Sequence, residues 1–479
     1  MKRRRFLQTA TAGVAAAALG PIARPAPAAA DRRGARPPNV VFLLADQWRA
    51  QATGYAGDPN ASTPCVDRLA AGSLDLVTAV SGCPVCSPYR GSLMTGRYPL
   101  SHGVFLNDVC LSSDAVSFAQ AFNTGGYHTG YIGKWHLDGH GRSSFIPPNR
   151  RQGFQFWRAA ECTHNYNQSH YYGDEPEKRF WQGYDAAAQT EAARRYIREH
   201  RNEPFALIVS WGPPHNPYQT APEAFRERFT PEGIVLRQNV PEAARPAARR
   251  DLAGYYAHIA ALDACAGRVV ETLSDCGLEE NTILVFTSDH GDMLGSHGEV
   301  RKQRPWDESI RVPFLLRYPA ELGREGRKLT TPLNTPDILP SLLGLCGIEI
   351  PGTVEGSDLS PLLRGREADG DGAALITCPS PFGEWTRPGG GREYRGVRTA
   401  RFTYVRTLEG PWLLYDNRED PCQLTNLVGK AEHASLEAEL EAVLKRKLAE
   451  THDDFRPGPE YVAQWGYKTD HRGTVPYRP

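Results

Sequence analysis

Asn39-Val40-Val41-Phe42-Leu43-Leu44-Ala45-Asp46-Gln47 is an unbroken apolar run that ends abruptly in a carboxylate and an amide. A strand with one wet face would alternate apolar and polar residues. A continuous, β-branched run of this length instead reads as a strand buried on both faces, as in a parallel sheet covered by helices. Residues 205–210 and 282–287 repeat the pattern, and 129–132 is a shorter version. Each run delivers polar residues of catalytic type: Asp46-Gln47, Lys134-Trp135-His136, His215 after a Trp-Gly-Pro-Pro turn, and Asp289-His290. Helical patterns at 185–200 and 252–273 lie among the runs, and strands alternating with helices predict an α/β fold with a large, mostly parallel sheet flanked by helices. In open sheets of this kind, ligands bind outside the carboxyl ends of the strands. The four polar clusters are therefore expected to meet in one crevice.

Outward from that core, the texture changes near residue 370. A Gly/Pro-rich stretch, Arg387-Pro388-Gly389-Gly390-Gly391, precedes strand-like pieces at 394–399, 402–406 and 412–415 and an amphipathic helix at 435–448. The expected organisation is a catalytic domain over 38–370 and a smaller C-terminal α+β subdomain over 371–479 containing an antiparallel sheet. With Lys plus Arg equal to Asp plus Glu at 55 each, the 479-residue chain has no global field to recruit nucleic acid or an anionic membrane. Anion recognition must be local.

The first residues, Met1-Lys2-Arg3-Arg4-Arg5-Phe6-Leu7, lead into an Ala-rich apolar run and the triplet Ala28-Ala29-Ala30. This has the form of a twin-arginine signal peptide over 1–30, followed by a linker over 31–37. It predicts recruitment by the export machinery, a periplasmic or secreted product, and no stable membrane insertion after cleavage. Ten cysteines, spread from Cys65 to Cys422, lack the density of a disulfide scaffold, although an oxidising destination permits pairing. Trp157, Trp181 and Trp211 are candidates for stacking on a sugar, with core packing as the commoner alternative.

The chemistry concentrates in Cys83-Pro84-Val85-Cys86-Ser87-Pro88-Tyr89-Arg90-Gly91-Ser92-Leu93-Met94-Thr95-Gly96-Arg97. Pro88 suits the first turn of a helix and Gly96 its end. Cys86 is thus expected at a helix N-terminus, where free N–H groups favour an anion such as sulfate or phosphate. The pattern Cys-x-Pro-x-Arg followed by Thr-Gly-Arg resembles the signature of the type I sulfatases of the alkaline phosphatase superfamily, in which this cysteine is oxidised to formylglycine. Further blocks occur in family order: Asp46-Gln47, Gly133-Lys134-Trp135-His136, Pro214-His215, Asp289-His290-Gly291, and Lys302 thirteen residues beyond Asp289. The segment from Tyr404 to Leu427 resembles the family's C-terminal subdomain.

The resemblance implies hydrolysis of a sulfate ester, on a sulfated glycan or a smaller ester, after a formylglycine-generating enzyme has acted on Cys86. It implies one divalent metal held by Asp46, Gln47, Asp289, His290 and the oxygen of the residue at 86. The hard donor set suits Ca²⁺, with Mg²⁺ or Mn²⁺ as alternatives. Lys134, His215 and Lys302 would surround the sulfate oxygens, Arg90 and Lys134 would hold the nucleophile, His136 would act as base, and Asn107 would contact substrate. The pairing of Gln47 with His290, in place of the commoner second Asp and Asn, also resembles phosphonate monoester and phosphodiester hydrolases of the superfamily. A non-catalytic glycan-binding protein is expected if Cys86 stays a thiol.

Overall fold

Alternate residues of the first strand point into different cores, which is why its run is apolar throughout. Val40, Phe42 and Leu44 pack into one hydrophobic cluster, and Val41, Leu43 and Ala45 into another on the opposite face. The computed structural model describes residues 36–367 and 372–477; the expected signal peptide and most of its linker lie outside them. From Arg36 onward the chain packs as one unit.

The central sheet has eight strands: β1 (Asn39–Asp46), β2 (Leu74–Leu76), β3 (His128–Lys134), β4 (Phe156–Ala160), β5 (Phe205–Pro214), β6 (Thr282–Ser288), β7 (Phe314–Arg317) and β8 (Arg327–Leu329). Their spatial order is β8-β2-β7-β6-β1-β5-β3-β4. Every neighbouring pair is parallel except those made by β7, which runs antiparallel to both β6 and β2. β1 lies at the centre, with Val40 opposite Ala206 on one side and Ile283 on the other. Helix α1 (Cys86–Thr95) packs on one face through Tyr89, Leu93 and Met94. Helices α2 (Asp185–Glu199) and α3 (Arg245–Asp275) cover the other through residues such as Tyr196, Ile197, Tyr255 and Leu262. This is the mixed, mostly parallel α/β architecture expected from the alternation of patterns.

Beyond it, β9 (Ala373–Cys378), β10 (Tyr394–Thr399), β11 (Phe402–Thr407) and β12 (Gly410–Asp416) form an antiparallel meander. One face is covered by α4 (Ala434–Glu450) through Leu440 and Leu444, and the other packs against Val80 and Ile310 of the central body. Among the described residues, no helix is long and apolar enough to cross a membrane.

Several details differ from the sequence reading. β5 continues past residue 210 through the Trp-Gly-Pro-Pro segment, because Pro214 still pairs with Asp46 across a register shift. Strands β2, β4, β7, β8 and β9 were not foreseen; all but the last are five residues or shorter, too brief to express a periodicity. All ten cysteines are free, so neither a disulfide framework nor a Cys83–Cys86 pair exists. Trp157, Trp181 and Trp211 are 3%, 6% and 0% exposed, which makes them core residues and not sugar platforms.

Candidate active site

The carboxyl ends of β1, β3, β5 and β6 deliver Asp46, Lys134, His215 and the Asp289-His290 pair, and α1 presents Cys86 to them from its first turn. Val85 caps that helix in an extended conformation, and Gly96 ends it at φ 64°, the left-handed region that glycine enters without strain. Asn107 Oδ1 accepts the backbone N–H of Ser87 at 3.1 Å, and the Ser87 hydroxyl donates to the His136 carbonyl at 2.8 Å. The helix start is thereby tied to the loop that follows β3. Gly133 makes the exit from β3 possible: φ is 104°, and a Cβ there would lie 2.0 Å from the Ser210 carbonyl oxygen.

Asp46, Cys86, Asp289 and His290 each offer a donor atom, and these atoms lie within 4.8 Å of one another, all buried. Cys86 Sγ is 3.2 Å from His290 Nε2 and 3.7 Å from Asp46 Oδ1. The His290 ring is oriented by its Nδ1–H, which donates to the Gly291 carbonyl at 2.9 Å and leaves Nε2 facing the cluster. The Gln47 amide is oriented likewise. Its Nε2 donates to Asp292 Oδ2 at 2.6 Å and to the Tyr218 hydroxyl, so Oε1 turns inward to accept from Lys302 Nζ at 3.0 Å. Gln47 and His136 hold left-handed backbone angles of 72° and 59°, strain of about 1–3 kcal/mol each that the surrounding packing must support.

Cations enclose these acids. Arg90 donates to Asp46 Oδ2 at 3.4 Å, Asp289 Oδ2 at 3.0 Å, the Lys134 carbonyl at 2.8 Å and Ser210 Oγ at 2.6 Å. Lys134 Nζ donates to Asp46 Oδ2 at 2.5 Å. Lys302 Nζ lies 3.5 Å from Cys86 Sγ and donates to His215 Nε2 at 2.7 Å. Burial and Asp46 both push the Cys86 thiol up, yet Lys134, Lys302 and His290 outweigh them and hold it well below the ordinary cysteine value. The position at 86 is therefore electrostatically prepared for an anion. Burial opposes ionisation of both carboxylates. Lys134 and His215 hold Asp46 well below the usual range despite that burial, whereas Asp289 is raised by burial and by Asp46 beside it. Two buried carboxylates that resist joint ionisation, with an inward-facing imidazole nitrogen and amide oxygen alongside, are a donor set suited to a divalent cation.

On the other side of Cys86, His136 Nε2 lies 3.4 Å from Asp108 Oδ1, and its buried Nδ1 has no hydrogen-bond partner. Arg142 clamps Asp108 with two hydrogen bonds of 2.8 Å. Burial opposes the charge on His136, but Cys162, Asp108 and Cys86 prevail and raise its pKa to about 9. His215 behaves oppositely. Burial and the adjacent Lys302 and His164 hold it well below the usual histidine value, and its Nδ1 pairs with the Asn216 carbonyl at 2.8 Å. The rings of His164 and His215 stack at 4.5 Å with an interplanar angle of 2°.

All eleven site residues expected from the sequence thus converge, Asn107 as the partner of the helix N-terminus. Residues that sequence reading missed include Asp108, Arg142, Cys162, His164, Tyr218, Asp292 and Glu384, whose carboxylate lies 3.8 Å from Lys302 Nζ. None sits in a recognisable motif. All but Tyr218, which opens a short 3-10 helix, come from loops, and only Asp108, next to Asn107, and Asp292, next to Gly291, had neighbours that drew attention.

Comparison with known proteins gives the family of the chain. Residues 38–348 match the family model described as Sulfatase, and residues 295–450 match the model described as N-sulphoglucosamine sulphohydrolase, C-terminal. The chain is 45% identical over 449 residues to an ulvan-active sulfatase of Formosa agariphila, covering 92% of this chain and 87% of the relative. It is 29% identical to an endo-4-O-sulfatase of Bacteroides thetaiotaomicron, covering 81% and 88%. A crystal structure from Bacteroides fragilis superposes with a TM-score of 0.79 at 30% identity, covering 89% of this chain and 98% of that one.

Proposed function

Because the chain belongs to the sulfatase family and is a sulfuric ester hydrolase, we propose that it desulfates a sulfated polysaccharide through formylglycine made from Cys86, with one divalent metal. The observation that carries this reading is the position of Cys86. It stands at the N-terminus of α1, among two lysines, three histidines and two carboxylates, in a chain 45% identical to an ulvan-active sulfatase.

Asp46, Gln47, Asp289 and His290, with the oxygen of the residue at 86, would hold the metal, and the oxygen-rich set suits Ca²⁺, with Mg²⁺ or Mn²⁺ as alternatives. A bound cation there supplies positive charge that lowers the barrier to attack on an anionic ester. Hydrated formylglycine supplies two hydroxyls, one to attack sulfur and one whose deprotonation later expels sulfate. Arg90 holds Asp46 and Asp289 together through its guanidinium. Lys134 and Lys302 meet the sulfate oxygens; burial opposes the charge on each, but Asp46 outweighs it at Lys134, and at Lys302 Cys86 does so in the unconverted chain, with Glu384 and Asp46 still beside it after conversion. His136, with a free buried Nδ1, takes the proton of the second hydroxyl. His215 is held neutral with its proton turned toward Asn216, so Lys302 is the better placed donor to the departing alcohol. The signal peptide, the export machinery and the formylglycine-generating enzyme belong to the same reading: the export route for folded proteins allows Cys86 to be converted before the chain leaves the cytoplasm.

Peptide mass spectrometry around Cys86, with sulfate release from ulvan and from other sulfated glycans, tests the proposal. Conversion to the aldehyde with glycan desulfation is expected. An unmodified thiol in an active preparation, or a hundredfold preference for an aryl phosphodiester over an aryl sulfate, would overturn it.

A further inference from the structure

Arg49 is a buried cation with no direct ion pair: burial opposes its charge, and Tyr256, Tyr255 and Asp58 support it, Asp58 through the Tyr256 hydroxyl. It is 2% exposed, and among the described residues it forms no ion pair. Its side chain makes one hydrogen bond, from Nη2 to the Tyr256 hydroxyl at 3.3 Å, and its sealed Nε has no partner. A guanidinium carries five N–H donors, and a buried one is ordinarily saturated by acceptors. Arg90, equally buried, shows the usual outcome, with two carboxylates, a carbonyl and a hydroxyl as partners. A buried guanidinium whose carboxylate support arrives only through a tyrosine hydroxyl still lacks direct acceptors, and a bound anion would supply them.

The surroundings supply room and further donors. Arg49 lines a cavity of about 370 Å³ together with Arg237 and Arg311. Arg311 also has a sealed Nε without a partner. Arg237 and Arg311 are anchored from behind by Glu308 at 3.0 Å and Asp307 at 3.1 Å, which fixes their positions. The carboxylate in the lining, Asp58, is already occupied by the Tyr256 hydroxyl and by Asn60. The cavity is distinct from the Cys86 site: none of Asp46, Cys86, Lys134, His136, His215 or Lys302 lines it.

We infer that this cavity is a second oxyanion site, in which a sulfate group completes the coordination of Arg49 between Arg237 and Arg311. The group has two possible sources of the same chemistry: inorganic sulfate released by the reaction, or a sulfate ester on another sugar of the chain being processed. The second source rests on the glycan reading above, whereas the site itself does not.

Soaking crystals of the mature enzyme in sodium selenate, a sulfate isostere with an anomalous signal, locates the anion directly. A peak within hydrogen-bonding distance of Arg49 is expected; density confined to the Cys86 site at saturating selenate overturns the inference. In solution, sulfate should raise the Tm of the enzyme and of Cys86→Ala, and Arg49→Gln should lose most of that increment. Arg311→Gln, a less buried change, guards against misfolding of the first variant and should weaken sulfate binding several-fold; retention of full sulfate stabilisation in both variants again overturns it. The sources separate kinetically. If the occupant is a sulfate ester on the glycan, Arg311→Gln raises KM for sulfated oligosaccharides several-fold while leaving 4-nitrophenyl sulfate within about twofold. If it is free sulfate, both KM values stay unchanged and the selenate peak remains in the wild type.

Discussion

Cys86 divides the site into two unlike walls. On one side stand Asp46, Gln47, Asp289 and His290, on residues that terminate β1 or directly follow β6, two strands paired in register at the centre of the sheet. On the other stand His136, Asp108, Arg142 and Cys162, carried by loops and oriented by one another. The first wall is acidic and kept together by buried cations, so it is a place for a metal. The second is an imidazole raised to about 9 by its neighbours, so it is a place for a proton. The difference teaches that the sheet positions ligands and the loops tune a titration.

Replacing the residue between the walls should have the largest effect. Cys86→Ala is expected to reduce kcat/KM by about 10³-fold or more while leaving the circular dichroism spectrum intact; residual turnover near wild type would remove Cys86 from the chemistry. Next comes the metal wall. Asp46→Asn leaves Lys134 and Arg90 short of a buried carboxylate, a loss of about 3–5 kcal/mol in denaturant unfolding, together with loss of divalent-metal binding. Tyr218→Phe works at one remove, because the hydroxyl helps to orient the Gln47 amide. Metal affinity should fall by about 10-fold, measured by calorimetry, and an unchanged affinity would show that Asp292 suffices.

The proton wall is tested by pH. His136 must be neutral to accept a proton, and its raised pKa means that activity climbs as pH rises from the ordinary 6.5 toward about 9. Asp108→Asn removes one of the causes of that rise, so the acid limb of kcat should move to lower pH; an unmoved limb would detach His136 from the profile. The same shift has a consequence for stability. Since the folded pKa lies above the unfolded one, the contribution of protonated His136 is complete below pH 6.5 and is lost as pH rises through about 9. The smallest effect belongs to the helix entrance. Asn107→Ala should cost about 1 kcal/mol from the lost bond to Ser87, with an increase in KM if Asn107 also touches substrate.

The strand-end residues were readable from the chain because the sheet imposes a rule: apolar runs buried on both faces end where the chain must become polar, so Asp46, Lys134, His215 and Asp289 announce themselves as polar residues shortly after β-runs. Cys86 and Arg90 were readable because one helix start and one motif carry both. Strands of two to five residues left no comparable trace, and β9 precedes the Gly/Pro-rich stretch at 387–391, ahead of the strand-like pieces that the sequence showed.

By itself the sequence determined the α/β class, the family, and the ten residues that meet around Cys86, since these follow from local pattern and from motifs of fixed spacing. Only the tertiary structure decided how those residues are set. It turned the Gln47 amide inward through Asp292 and Tyr218, raised His136 through Cys162 and Asp108, kept His215 neutral beside Lys302, and left Arg49 buried without a direct ion pair. Each depends on contacts between residues far apart in the chain, and burial makes such contacts strong by removing the water that would otherwise screen them.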